Sequence, residues 1–115
     1  MTTSATINGK TRLPFVIDSG ASAVTIPANV FRDLVTAGVV SAGDLRRSSV
    51  FRFGDGSTKV RPTFLIRSLR VGDVTVENLV GSVAEEGAPL LIGQTFLRRF
   101  KSWSIDNSRQ VLVLR

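Results

Sequence analysis

Cysteine, histidine and tyrosine are all missing from this 115-residue chain. Without cysteine there is no disulfide and no thiolate nucleophile, and the redox compartment stays undecided. Without histidine, the Ser-His-Asp and Cys-His arrangements are excluded, and so is the commonest metal ligand. Acid–base chemistry near neutral pH therefore falls to carboxylates in unusual surroundings or to lysine. Only Lys10 lies near the strand that leads into the most conspicuous carboxylate, Asp18. No apolar run approaches the roughly 18–20 residues of a membrane-spanning helix. The opening stretch Met1 to Thr6 has neither a basic region nor an apolar core, so it does not read as a secretory signal. Low-complexity tracts and linkers are missing as well.

What is present suits one soluble domain over residues 1–115, with 43% hydrophobic and 21% charged residues. Fifteen Lys and Arg against nine Asp and Glu give a net charge of +6. Such a surface is first of all a solvated one. Its other readings are attraction to acidic peptides or to nucleic acid.

Turn residues divide the chain. Asn8-Gly9 accepts the positive φ of a tight primed turn and joins a strand around Ala5–Ile7 to one over Thr11–Ile17. Val24–Ile26 reads as a short strand. Pro27 is expected at the first position of a helix that carries Val30, Phe31, Leu34 and Val35 and stops at Gly38. Ser41–Asp44 reads as loop. From Arg47 to Ala84 the pattern is β: strands over Val50–Phe53 and Lys59–Leu69 flank Gly54-Asp55-Gly56-Ser57, and Gly72-Asp73 turns Ile66–Val71 into Val74–Val80. A buried strand at Leu90–Ile92, a helix over Gln94–Phe100 and strands at Trp103–Ile105 and Val111–Leu114 complete the chain. The last of these, wholly apolar, reads as buried on both faces. Short strands with two helices predict an all-β fold with closed, barrel-like character.

Two stretches carry the chemistry. Phe15-Val16-Ile17 delivers Asp18 to the end of an apolar strand, and Ser19-Gly20-Ala21 follows at once. A carboxylate taken out of water there costs several kcal/mol unless compensated. In isolation, an Asp-Ser-Gly is often a turn whose carboxylate caps backbone N–H groups. Here it is matched downstream by Leu90-Leu91-Ile92-Gly93, an apolar strand ending in glycine that opens into a helix.

Together these stretches resemble the retropepsin-like aspartic proteases, the family of the retroviral proteases and their single-domain bacterial relatives. Val16 to Ala21 follows the family's apolar-apolar-Asp-Thr/Ser-Gly-Ala position by position. Leu91, Ile92 and Gly93 follow its second motif, and the likeness runs over about residues 13 to 115. Gln94 stands where the viral pattern has arginine, and Thr95-Phe96-Leu97 looks like the bacterial branch. The resemblance implies a closed acid-protease barrel, with Asp18 as the catalytic residue. Ser19 would hold the two motif loops together through its hydroxyl, Gly20 would let backbone approach the carboxylates, and a small Ala21 would let substrate pass. It further implies a flap at the hairpin Phe53, Gly54, Asp55, Gly56 and Ser57, able to bend over a peptide and exclude water. Termini in this family often build the subunit interface, and bacterial relatives are often anchored facing the periplasm. A membrane anchor is accordingly expected only in a longer precursor.

Hydrolysis of this class needs two carboxylates sharing a proton, one acting as base on water and the other as acid toward the scissile carbonyl. The chain holds one such motif, so the expectation is a homodimer that pairs Asp18 across a two-fold axis and hydrolyses peptides or unfolded protein. No metal or cofactor is expected. Gly54–Ser57 alone lacks the Lys-Ser/Thr of a phosphate loop and the repeated acids of a calcium loop. Asp33, Asp44, Asp73, Asp106 and the adjacent Glu85-Glu86 read as surface, loop or turn residues. Phe96, Phe100 and Trp103 read as core. Two further readings stand beside the protease. One is a dimeric peptide-binding module of the same fold that does not cut. The other is a basic barrel binding nucleic acid through Phe51 and Phe53, which explains neither Asp18 nor Leu90–Gly93; no nucleic-acid partner is expected.

Overall fold

Asn8 and Gly9 both adopt left-handed backbone, with φ of 52° and 69°. That turn folds β1 (Thr2–Ile7) back on β2 (Thr11–Ile17) in the computed structural model, which describes all 115 residues. β3 (Val24–Pro27) leads into α1 (Ala28–Thr36), and Gly38, at φ 75°, lets the chain leave the helix. A 3-10 turn at Ala42–Asp44 precedes β4 (Leu45–Arg52). The long β5 (Thr58–Val71) and β6 (Val74–Ala84) are joined through Gly72. Then come β7 (Leu91–Ile92), α2 (Gln94–Leu97), β8 (Trp103–Asp106) and β9 (Val111–Leu114). Strands make up 52% of the chain and helix 14%, so the all-β expectation holds.

One sheet runs β1-β2-β7-β3-β6-β5-β4 and closes on itself, because β1 also pairs with β5 at Thr6–Arg70 and Ile7–Leu69. Closure removes the free edges of β1, β2, β7, β3, β6 and β5, and only β4 is left hanging off the ring. β8 and β9 form a separate two-stranded sheet. Inside lie 19 buried apolar residues, among them Phe15, Ile26, Phe64, Ile66, Leu69, Ile92, Phe96 and Leu97. Most come from the inward faces of the ring strands, as the period of two requires, with Leu34 added by α1, Phe96 and Leu97 by α2 and Val39 and Val40 by the stretch after α1. Phe31 of α1 closes one end over Phe64, with ring centroids 4.9 Å apart. At Gly81 a methyl group would meet Phe64 and Ile66 at 2.9 Å, so these two large side chains take the space above β6.

Several expectations need correction. Pro27 is the last residue of β3 and caps α1 from outside, because its extended ψ of 152° continues the strand. The second helix ends at Leu97 rather than Phe100, leaving Phe100 to pack against Phe96 at 5.3 Å. β4 begins at Leu45 and stops at Arg52, before Phe53, with a register shift between Arg46 and Ser49. β9 is not buried on both faces in a single chain: Val111 is exposed and Leu112–Leu114 are half-buried, since β8 is the only strand paired with it. Asp44, read only as a loop residue, is covered, at 4% exposure. It lies within its own loop, where its Oδ2 accepts from the Ser41 N–H at 2.9 Å and the Ser41 hydroxyl at 3.1 Å.

Candidate active site

β7 is only two residues long, yet it lies between β2 and β3 and pairs with both. It thereby bridges the two arms of the loop that holds Asp18. The Asp18 N–H donates to the Ile92 carbonyl at 3.0 Å, and the Val16 N–H to that of Leu90 at 2.8 Å. Past β7, Gly93 brings the chain against the same loop. Here the Gln94 N–H donates to the Ala21 carbonyl at 2.9 Å and the Thr95 N–H to that of Ser22 at 3.0 Å. The first turn of α2 therefore spends its free donors on the Asp18 loop. A methyl group on Gly93 would sit 2.5 Å from the Ala21 oxygen and 2.6 Å from that of Ala23, so only glycine fits. Gln94, which departs from the viral motif, reaches back with its side-chain amide to the Ser19 carbonyl at 2.8 Å.

Within the loop, the Asp18 Oδ1 accepts from the Gly20 N–H at 2.9 Å, and the Ala21 N–H donates to the Asp18 carbonyl at 3.1 Å. The turn is stitched to the acid it presents. A methyl group at Gly20 would lie 3.2 Å from Oδ1, tight enough to disturb that bond. Asp18 is half-exposed in the single chain rather than buried as its apolar strand suggested, because β2 ends one residue before it and the carboxylate opens onto a cleft.

That cleft has a volume of about 300 Å³. Asp18, Gly20, Ala21 and Ser22 line its floor, with Thr25, Ser82 and Leu91 beside them and Phe51, Arg52, Phe53, Gly54 and Arg61 across from them. The Asp-Ser-Gly loop and the Gly-rich hairpin, far apart in sequence, thus face each other. Asp18 is the only carboxylate in its lining. Ser19 is exposed beside the cleft, while Ile92 and Gly93 lie buried beneath the loop as its support. Thr25 and Ser82, 5% and 1% exposed, pair their hydroxyls at 3.2 Å behind the floor.

The hairpin tip is tightly built. The Phe53 N–H donates to the Ser57 carbonyl at 2.9 Å, the Gly56 N–H to that of Phe53 at 3.0 Å, and Gly56 sits at φ 87°. The Asp55 carboxylate accepts from both the Ser57 hydroxyl and N–H, at 2.6 and 2.9 Å. Those bonds, the hydroxyl's foremost, hold its pKa below the usual carboxylate value. Asp55, Gly56 and Ser57 thus shape the tip without lining the cleft. Phe51 and Phe53 are half-buried and turned toward the cleft. The Phe53 ring has the Lys59 ammonium at 5.6 Å and the Arg61 guanidinium at 5.0 Å, so it is no open platform for stacking bases.

Arg61, Thr25 and Ser82 were not singled out in the sequence, and Arg52 only as the residue between Phe51 and Phe53. The alternation Phe51-Arg52-Phe53 places the hairpin's rings on one face, but nothing local tells which of its arginines faces Asp18. Glu85 and Glu86 are exposed, as expected, and each pairs with an arginine: Glu85 with Arg61 at 3.4 Å and Glu86 with Arg32.

No helix is long and apolar enough to cross a membrane. No curated protein sequence matches this chain at a significant level. Among solved structures, a retropepsin-like aspartic protease from Rickettsia conorii superposes with a TM-score of 0.66 at 21% identity, covering 91% of this chain and 75% of that one. That likeness shows the fold. Residues 3–99 match the family described as "gag-polyprotein putative aspartyl protease", which takes in both motifs and the hairpin between them. On a match of that extent, the chain belongs to this retropepsin-like aspartyl protease family.

Proposed function

We propose that the protein is an aspartic endopeptidase that works as a homodimer, each copy contributing Asp18 to one proton-sharing pair. One observation carries the reading: the cleft that joins the Asp-Ser-Gly loop to the Gly-rich hairpin contains a single carboxylate. General acid–base hydrolysis needs two, and a two-fold axis through the mouth of the cleft supplies the second. Two carboxylates within hydrogen-bond reach cannot both ionise, so the pair holds one proton between them.

The ionised member takes a proton from water as the oxygen attacks the scissile carbonyl. The protonated member gives its proton to the carbonyl oxygen, forming a gem-diol intermediate. Collapse of that intermediate breaks the C–N bond, with the proton passed to the leaving amine. Gly20 holds Oδ1 through its N–H and so fixes which way the carboxylate faces. The hairpin Phe53–Ser57 is the flap; its tip is closed on itself by Asp55 and Ser57, so it moves as one piece and presents backbone groups to an extended peptide. The exposed Ser19 hydroxyl is free to reach the matching loop of the second copy, and the half-buried β9 offers a strand to the subunit contact.

The test is cleavage of an unbiased peptide library by the wild-type chain and by Asp18→Asn, with specific activity followed across a dilution series. Activity should vanish in the variant while its circular dichroism stays unchanged, and should fall on dilution through the dimer's dissociation range. Full activity in Asp18→Asn refutes the assignment of the acid. A specific activity that ignores dilution while the protein passes from dimer to monomer refutes the shared site.

A further inference from the structure

The cleft's charge is opposite to that of its one acid: two guanidiniums, Arg52 and Arg61, line it with Asp18. Arg52 is exposed at the rim, but the Arg61 side chain is only 15% exposed. Its guanidinium carbon lies 5.0 Å from the centre of the Phe53 ring, a cation–π contact that restrains the group, and its N–H groups form a planar fork. Of its five donors, the chain engages one, in a long 3.4 Å contact to Glu85. Glu85 is 63% exposed, and an ion pair of that kind contributes little and is readily exchanged. A largely covered guanidinium that faces a substrate cleft with most donors unspent is built to receive a planar anion.

We infer that Arg61 is a specificity-determining residue that receives the carboxylate of an aspartate or glutamate side chain of the bound peptide, making acidic peptides the preferred substrates. The inference rests on the protease reading for its substrate. A peptide lying between the Asp18 floor and the hairpin displaces water from the cleft, which strengthens the pairing of its carboxylate with the fork. Amide analogues, which offer one acceptor and no charge, leave the guanidinium poorly paired and are selected against. The excess of basic residues adds long-range attraction for the same peptides but does not select a position within them. Glu85 occupies part of the fork in the free chain and acts as an internal competitor.

The test compares C-terminally amidated peptide pairs that differ only by Glu against Gln, or Asp against Asn, at each position around the cleaved bond. The expected wild-type result is a kcat/KM ratio of about 10-fold or more for acid over amide at one position. Arg61→Gln should bring that ratio to about 2-fold or less, and Arg61→Glu should turn it toward lysine. Glu85→Gln, which leaves Arg61 in place and frees its fork, should raise it. A purely structural role for Arg61 lowers all rates together and leaves the ratio unmoved, which overturns the inference. The same pairs are titrated for binding to the Asp18→Asn chain, with and without Arg61→Gln. If no peptide is cleaved, hydrolysis fails as a reading while acid selection is still judged on these affinities; equal affinities for acid and amide peptides overturn it.

Discussion

Replacing Gly93 by alanine should damage this protein more than any comparable single-methyl change in its core. The added carbon would stand 2.5 and 2.6 Å from two main-chain oxygens, whereas ordinary contacts start near 3.4 Å. Neither oxygen belongs to a side chain that can swing away, so the Asp18 loop and the start of α2 must part by close to an ångström. Overpacking of that kind costs about 1–3 kcal/mol. The same displacement stretches the Gln94-to-Ala21 and Thr95-to-Ser22 hydrogen bonds, each contributing about 1 kcal/mol. The sum, about 3–5 kcal/mol, lowers the melting temperature of a domain this size by roughly 10–30 °C. It is still less than the total stability of a typical domain, about 5–15 kcal/mol, so the variant should fold at low temperature. Thermal unfolding followed by circular dichroism measures the loss. Peptide cleavage below the transition should fall further than the folded fraction, because the loop that moves carries Asp18. A melting temperature within about 2 °C of wild type would refute the close-approach account of this glycine.

Two other predictions concern buried polar groups. The carboxylate of Asp44 is held below its ordinary value of 3.8, chiefly by the Ser41 N–H, with the Ser41 hydroxyl and the Arg67 and Arg46 guanidiniums helping and burial opposing. Its folded value lies below its unfolded one, so its contribution is complete above about pH 4 and lost as pH falls through the folded value. Asp44→Asn should therefore cost about 1–2 kcal/mol in urea unfolding at neutral pH, with the gap to wild type closing below pH 3.8; a gap that widens on acidification contradicts it. Thr25→Val strands the buried Ser82 hydroxyl and should cost about 1–3 kcal/mol, much of which Thr25→Val with Ser82→Ala should restore. Equal urea midpoints for the wild type and the single variant would show that the pair is not holding the cleft floor.

The turns were legible because their chemistry is local. Asn8-Gly9 and Gly72 have the positive φ their residue types promised, and each sits where two strands reverse. The Asp18 loop and the Leu91–Gly93 stretch were legible as motifs, and the structure brings them together through β7. What a linear reading could not supply is partnership across the fold. The burial of Asp44 depends on Ser41 and on Arg67, which arrives from β5 at 3.5 Å. β5, 14 residues long, joins the two overlapping stretches read as strand, Lys59–Leu69 and Ile66–Val71, and its two ends serve different neighbours that the sequence does not show: β4 near the hairpin, and β1 near Leu69 and Arg70. The exposure of Asp18 was misjudged because apolar residues before a carboxylate report on the strand's burial, not on where that strand ends. The half-buried state of β9 has the same origin: four apolar residues do not say whether their cover comes from the same chain.

The insertion of β7 between β2 and β3 sets an order of assembly. The Ser19 carbonyl waits for an amide 75 positions downstream, and every bond that steadies the acid loop from below comes from this late stretch. Contacts that distant must close a large loop before they return any stability, which makes them slow to form. A nascent chain emerging from the ribosome can build its first hairpin and helix, but it holds its acid loosely until Ile92–Thr95 have followed. The acid loop therefore becomes firm only after its late partners arrive, however early its own residues are made.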